Sequence, residues 1–180
     1  MEKGIHEADV HGLKAGSILT INVSSPHTHF EAYSVLNALP SEGVCVTLNR
    51  TANNLQRMIQ QHGLDTRKLH FVDAVTVPIQ DTRRMDGCSY VPDPRNLADL
   101  ASLIERAVQG MKPGDKFVIV DCFHDLGYYH DEHTIIQFLD FLTQRLKVLR
   151  LKGIFLIDQN RLSRKVKKRL FEVSDKMVYV

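Results

Sequence analysis

The sequence predicts an α/β protein with a mostly parallel central sheet and helices on both faces. Three observations carry this. Six short apolar runs, at 18–23, 44–48, 69–73, 117–121, 154–158 and 176–180, are continuous rather than alternating, as strands covered on both faces must be. The segments between them carry apolar residues at helical spacing. Strand and helix then alternate along the chain, the pattern that builds parallel sheets through helical crossovers.

The elements follow in order. Residues 18–23 form the first strand and 28–39 a helix, ended by Pro40-Ser41-Glu42-Gly43. After the strand 44–48, the helix 51–62 places Leu55, Met58 and Ile59 on one face, and Gly63 closes it as a left-handed cap. The strand 69–73 is short. Residues 75–95 hold three prolines and one glycine without a steady period, which predicts a long loop. The helix 96–110 carries Leu97, Leu100, Leu103, Ile104 and Val108 on one stripe. Pro113-Gly114-Asp115 is a turn into the strand 117–121. A long helix at 133–150, a strand at 154–158, a helix at 161–173 and a last strand at 176–180 complete the order.

A chain of 180 residues is expected to make one domain, 1–180. Its net charge of +2 is near neutral, so nothing global argues for nucleic acid or a membrane surface. No apolar run reaches membrane-spanning length, and Met-Glu-Lys-Gly-Ile-His-Glu lacks the apolar core of a leader. The cysteines, Cys45, Cys88 and Cys122, are odd in number and far apart, which predicts reduced thiols and a cytoplasmic setting. Cys88, in the long loop, is expected to be the most exposed.

Sites in such sheets lie at the carboxyl ends of the strands. That directs attention to 24–31, 49–50, 73–74, 121–125 and 158–161. The strand–loop–helix at 17–39 has the layout of a phosphate-binding loop, yet its loop has no glycine and no lysine. His11-Gly12-Leu13-Lys14-Ala15-Gly16-Ser17 leads into it. Gln61-His62-Gly63-Leu64-Asp65 precedes the strand ending in Asp73. Phe117-Val118-Ile119-Val120-Asp121 is an apolar strand ending in an acid, Lys152-Gly153-Ile154-Phe155-Leu156-Ile157 follows, and Val173-Ser174-Asp175-Lys176-Met177-Val178 closes the chain. In this order and spacing the sequence resembles the RecA-like ATPases, most closely the KaiC-type branch, over nearly its whole length.

The resemblance implies a RecA-like core with a nucleotide site at the carboxyl edge, and the departures from its pattern bear on function. A gapless match puts Ser24 and His29 at the two signature glycines, Phe30 at the lysine and Glu31 at the Ser/Thr that holds Mg²⁺. Asn49-Arg50 stands where the family carries its catalytic glutamate, and only Asp121 matches the metal-binding acid. Phosphoryl transfer depends on positioning and charge neutralisation. The expectation is therefore an inactive RecA/KaiC-like domain, not an ATPase, with no cofactor. It would serve as an assembly, regulatory or binding module, pairing with a protein or a second copy of itself through its RecA-like edges.

Two alternatives come from other residues. His27, His29, Asp121 and His124 combine imidazoles and a carboxylate on one edge, a donor set suited to a transition metal that could activate water. The resemblance puts one strand between the first strand and the one ending in Asp121, a gap of about 10 Å. His27 and His29 are accordingly expected not to meet Asp121. The stretch 161–169 offers Arg161, Arg164, Lys165, Lys167 and Lys168 as a basic helix face for nucleic acid, although no aromatic residue interleaves them.

Overall fold

The computed structural model describes residues 10, 12–39 and 42–180. Residues 1–9, His11, Pro40 and Ser41, and the side chains of Pro26 and His27, lie outside that description, and the reading of the N-terminus falls there.

Seven strands form one sheet: β1 (Ile18–Asn22), β2 (Glu42–Thr47), β3 (Leu69–Asp73), β4 (Cys88–Tyr90), β5 (Lys116–Asp121), β6 (Lys152–Ile157) and β7 (Lys176–Tyr179). Their order is β4-β3-β2-β5-β6-β1-β7, and every neighbouring pair is parallel. The six strands expected from the apolar runs are all present. The seventh, β4, lies inside the stretch read as loop. It pairs Phe71–Asp73 with Cys88–Tyr90 at the sheet edge. Three half-buried residues give too short a pattern to announce a strand.

The helices bounded within the described residues are α1 (Pro26–Ala32), α2 (Ala52–Gln61), α3 (Leu97–Gln109), α4 (Glu132–Val148) and α5 (Arg164–Val173). α1 and α2 cover one face, where Leu19, Ile21, Tyr33, Leu36, Leu55 and Ile59 pack together. α3, α4 and α5 cover the other, with Val44, Val118, Phe123, Phe138, Leu142 and Phe155 at its centre. Alternate residues of β1 and β5 feed the two faces, so each strand is buried on both sides. Among the described residues no helix is long and apolar enough to cross a membrane.

Side-chain caps set the helix starts. Ser25 caps α1 in a reciprocal box with Thr28, and Thr51, Asn96, Asp131 and Ser163 accept backbone N–H groups at the starts of α2, α3, α4 and α5. Two expected helices are shorter than read. Residues 33–38 tighten into a 3₁₀ turn after α1. Arg161 belongs to a separate 3₁₀ turn capped by Asp158, because Ser163 restarts the chain as α5.

Gly43 in β2 is required by close packing. A Cβ there would stand 2.4 Å from the ring of Phe117, itself fully buried. Gly43→Ala is expected to lower stability by about 1–3 kcal/mol through overpacking, read as an earlier urea midpoint. An unchanged midpoint would contradict this packing.

Candidate functional site at the carboxyl edge

The strand order places β6 between β1 and β5, as the resemblance implied. His29 nevertheless crosses the gap. Three residues separate the end of β1 from the start of α1, and the His29 imidazole reaches 2.6 Å from Asp121 Oδ1 at the end of β5. This corrects the expectation that the two stay apart. Both groups are nearly or fully buried, at 4% and 0% exposed.

Cys122 follows Asp121 in the left-handed region, at φ 54° and ψ 46°. For a residue with a Cβ that conformation costs on the order of 1 kcal/mol. It brings Sγ to 3.5 Å from Asp121 Oδ1 and to 3.9–4.0 Å from the His29 ring nitrogens. Burial, then the neighbouring carboxylates of Asp121 and Asp125, push the Cys122 thiol well up. Asp121 Oδ2 is buried and has no hydrogen-bond partner among the described residues.

A second knot lies alongside. Asp125 accepts from Asn49 Nδ2 at 2.6 Å and from Arg161 Nη2 at 2.5 Å. Arg161 Nη2 also donates to the Tyr128 hydroxyl. His124 Nδ1 accepts the Asp158 N–H at 2.9 Å, and its Nε2 lies 2.9 Å from Arg161 Nη1. Burial lowers the pKa of His124, which keeps the ring neutral near pH 7.

The loop between β1 and α1 uses its own backbone donors. Ser24 N–H and Ser25 N–H both reach Thr28 Oγ1, at 3.2 and 3.1 Å. Thr28 N–H donates to Ser25 Oγ at 3.2 Å, and His29 N–H to Ser25 O at 3.0 Å. The Phe30 ring has the Arg50 guanidinium 5.2 Å from its centroid and stacks with His62 at 5.2 Å. The cavity left beside these groups measures about 170 Å³ and is lined by Ser24, Ser25, His29, Arg50, Cys122 and Arg161, among others.

The structure thus gathers His29, Asp121 and His124 on one edge, with Ser24, Asn49 and Arg50 around them. It does not converge His124 on Asp121: the ring is turned to Asp158 and Arg161. The side chain of His27 lies outside the described residues. Arg161, expected on a nucleic-acid face, instead points into this edge. Lys165 pairs with Glu132, and Lys168 with Glu172. Arg164 and Lys167 have no ion pair among the described residues, a thin remainder for a phosphate backbone. Cys88 is half-buried rather than open, and its thiol is pushed up to about 12, chiefly by burial.

Sequence reasoning missed Cys122 and Asp125 as site residues. Their signal was position, since both follow the acid that ends β5. Asp73 reads in the sequence only as a strand end. It accepts from Ala52, Val75 and Thr76 N–H and from Thr76 Oγ1, and so ties β3 to the start of α2.

Solved structures share this architecture. Uncharacterized protein PH0321 from Pyrococcus horikoshii, solved in complex with an unknown peptide, matches with TM-score 0.73 and 10% identity, over 93% of this chain and 78% of that one. The KaiC-like protein PH0186 of the same archaeon matches with TM-score 0.65 and 16% identity, over 92% and 71%. The fold is RecA/KaiC-like. A third Pyrococcus horikoshii protein, PH0250, agrees at TM-score 0.65 and 13% identity, over 93% and 83%. At these identities the likeness establishes the RecA/KaiC-like fold alone. The sequence matches no family model, and no curated protein matches it.

Proposed function

We propose that this chain is a RecA/KaiC-like domain without nucleotide hydrolysis, acting as a binding and assembly module. The observation that carries the reading is the loop between β1 and α1. A phosphate-binding loop works by presenting unpaired backbone N–H groups to the phosphates. Here the N–H groups of Ser24, Ser25, Thr28 and His29 are all taken by Thr28 Oγ1, Ser25 Oγ and Ser25 O. Side chains point the same way. Phe30 and Glu31 replace the lysine and the hydroxyl that hold phosphate and Mg²⁺, and Asn49-Arg50 replaces the catalytic glutamate. Asp121 spends one carboxylate oxygen on His29. The 170 Å³ cavity is well below the roughly 300–1,000 Å³ of pockets that enclose a drug-sized ligand.

A binding role is supported on the face covered by α3 and α4. Leu97, Ala101, Phe138 and Phe141 line a groove of about 610 Å³, and Phe141 is 48% exposed. Glu105 and Arg145 pair at its rim. An apolar floor with a charged rim suits a protein partner or a second copy of the chain. The similar protein PH0321 was solved with a peptide, which favours a polypeptide ligand over a nucleotide. A coupled assay with Mg²⁺-ATP is expected to show no hydrolysis above buffer. Turnover that disappears in Asp121→Asn would overturn the proposal.

A further inference from the structure

We infer that His29, Asp121 and Cys122 form a binding site for a divalent transition metal of the zinc class. The inference goes beyond the non-hydrolytic reading and does not rest on it. The three side chains supply one imidazole nitrogen, one carboxylate oxygen and one sulfur, all buried, within 4.8 Å of one another. Ligands on a tetrahedral ion, bonded at 2.0–2.3 Å, stand about 3.4 Å apart. The Cys122 Sγ–Asp121 Oδ1 separation of 3.5 Å fits that spacing, and Sγ–His29 Nε2 at 4.0 Å is slightly wide. The His29–Asp121 pair, at 2.6 Å, must open by under about 1 Å to admit the ion.

The independent observation is Asp121 Oδ2, the second oxygen of the carboxylate whose Oδ1 gives the spacings above, so the ion that satisfies it is held by both oxygens. Oδ2 belongs to a fully buried carboxylate and has no hydrogen-bond partner among the described residues. Buried carboxylate oxygens are ordinarily satisfied, and an orphan one calls for a positive or hydrogen-bonding occupant. A thiolate and a carboxylate together balance the charge of a dication. The soft sulfur and the imidazole select Zn²⁺, Co²⁺ or Fe²⁺ and disfavour Mg²⁺. The left-handed Cys122 backbone is the device that turns Sγ toward the pair.

A neighbouring trio, Cys122, His124 and Asp125, has similar spacing but is committed elsewhere. His124 faces the Asp158 N–H and Arg161, while Asp125 holds Asn49 and Arg161. A metal there would have to break that knot, whereas the His29 trio needs only one pair opened. Three protein ligands leave a fourth position, and His29 and Cys122 both line the 170 Å³ cavity, where a water or a small anionic ligand completes the shell.

Co²⁺ titrated into the full chain tests the site, because a cysteine ligand gives a thiolate-to-cobalt charge-transfer absorption. The expected result is such a band saturating at one equivalent, displaced by Zn²⁺, absent in Cys122→Ser and retained in Cys45→Ser and Cys88→Ser. His29→Gln is expected to weaken binding at least about tenfold, which keeps the test decisive if Cys122→Ser does not fold. No charge-transfer band at saturating Co²⁺, a band that survives in Cys122→Ser, or unchanged affinity in His29→Gln would overturn the assignment. None of these readings involves nucleotide, so failure here and failure of the non-hydrolytic reading are separable.

Discussion

Asp73→Ala is expected to cost about 3–5 kcal/mol of unfolding free energy. The carboxylate is fully buried at the end of β3. It accepts four hydrogen bonds: from Ala52 N–H at 2.6 Å, Val75 N–H at 2.7 Å, Thr76 N–H at 2.8 Å and Thr76 Oγ1 at 2.6 Å. Alanine leaves these donors unpaired in the interior, at about 1–3 kcal/mol for each that water does not reach. It also removes a negative charge from the N-terminal end of α2, where the helix dipole favours one. Asp73→Asn keeps the shape but turns an amide N–H₂ toward donors, so an intermediate loss follows. Urea unfolding reads both. A loss under about 1 kcal/mol for Asp73→Ala would mean that these hydrogen bonds do not hold β3 to α2.

Phe123→Ala is expected to cost a similar amount, about 3–5 kcal/mol. Phe123 is fully buried and meets Phe155 of β6 edge-on, with centroids 5.3 Å apart. Removing the ring opens a cavity in the larger core cluster, which the sheet cannot collapse to fill. It also frees the 3₁₀ turn (Phe123–Tyr128) that carries His124 and Asp125 and adjoins Cys122. Two readouts therefore move together. The melting temperature falls, and the edge knot loosens, seen as faster amide exchange at the Asp158 N–H that His124 holds. A stability loss with unchanged exchange there would show that Phe123 fills the core without positioning the edge.

The fold was readable because burial leaves a plain mark: six continuous apolar runs became six adjacent parallel strands, five of them mostly buried and the last, β7, half-buried at the sheet edge. What was not readable lay where local pattern and tertiary pairing part. Cys88–Tyr90 pairs with β3 through its backbone, and a three-residue edge strand needs no apolar run to do so. Arg161 reads as part of a basic helix until Ser163 is recognised as the cap, and its guanidinium then turns back to Asp125. The edge itself was legible from strand polarity, since sites collect at carboxyl ends. The reach of its side chains was not. Strand spacing puts His29 too far from Asp121, yet a helix separated from β1 by three residues and a full imidazole span that gap. Cys122 is buried, as a reduced thiol at the end of an apolar run is expected to be, but nothing in the sequence marks its left-handed backbone, since the residue is neither glycine nor asparagine.

Titration calorimetry of the full chain with Mg²⁺-ATP bears most directly on the claim that the nucleotide edge is closed. With four loop N–H groups already bonded, and on the proposed match of Phe30 to the family's lysine position, no binding tighter than about 1 mM, near −4 kcal/mol, is predicted. Micromolar affinity would contradict the account, since it would require that loop to release its own donors to the phosphates.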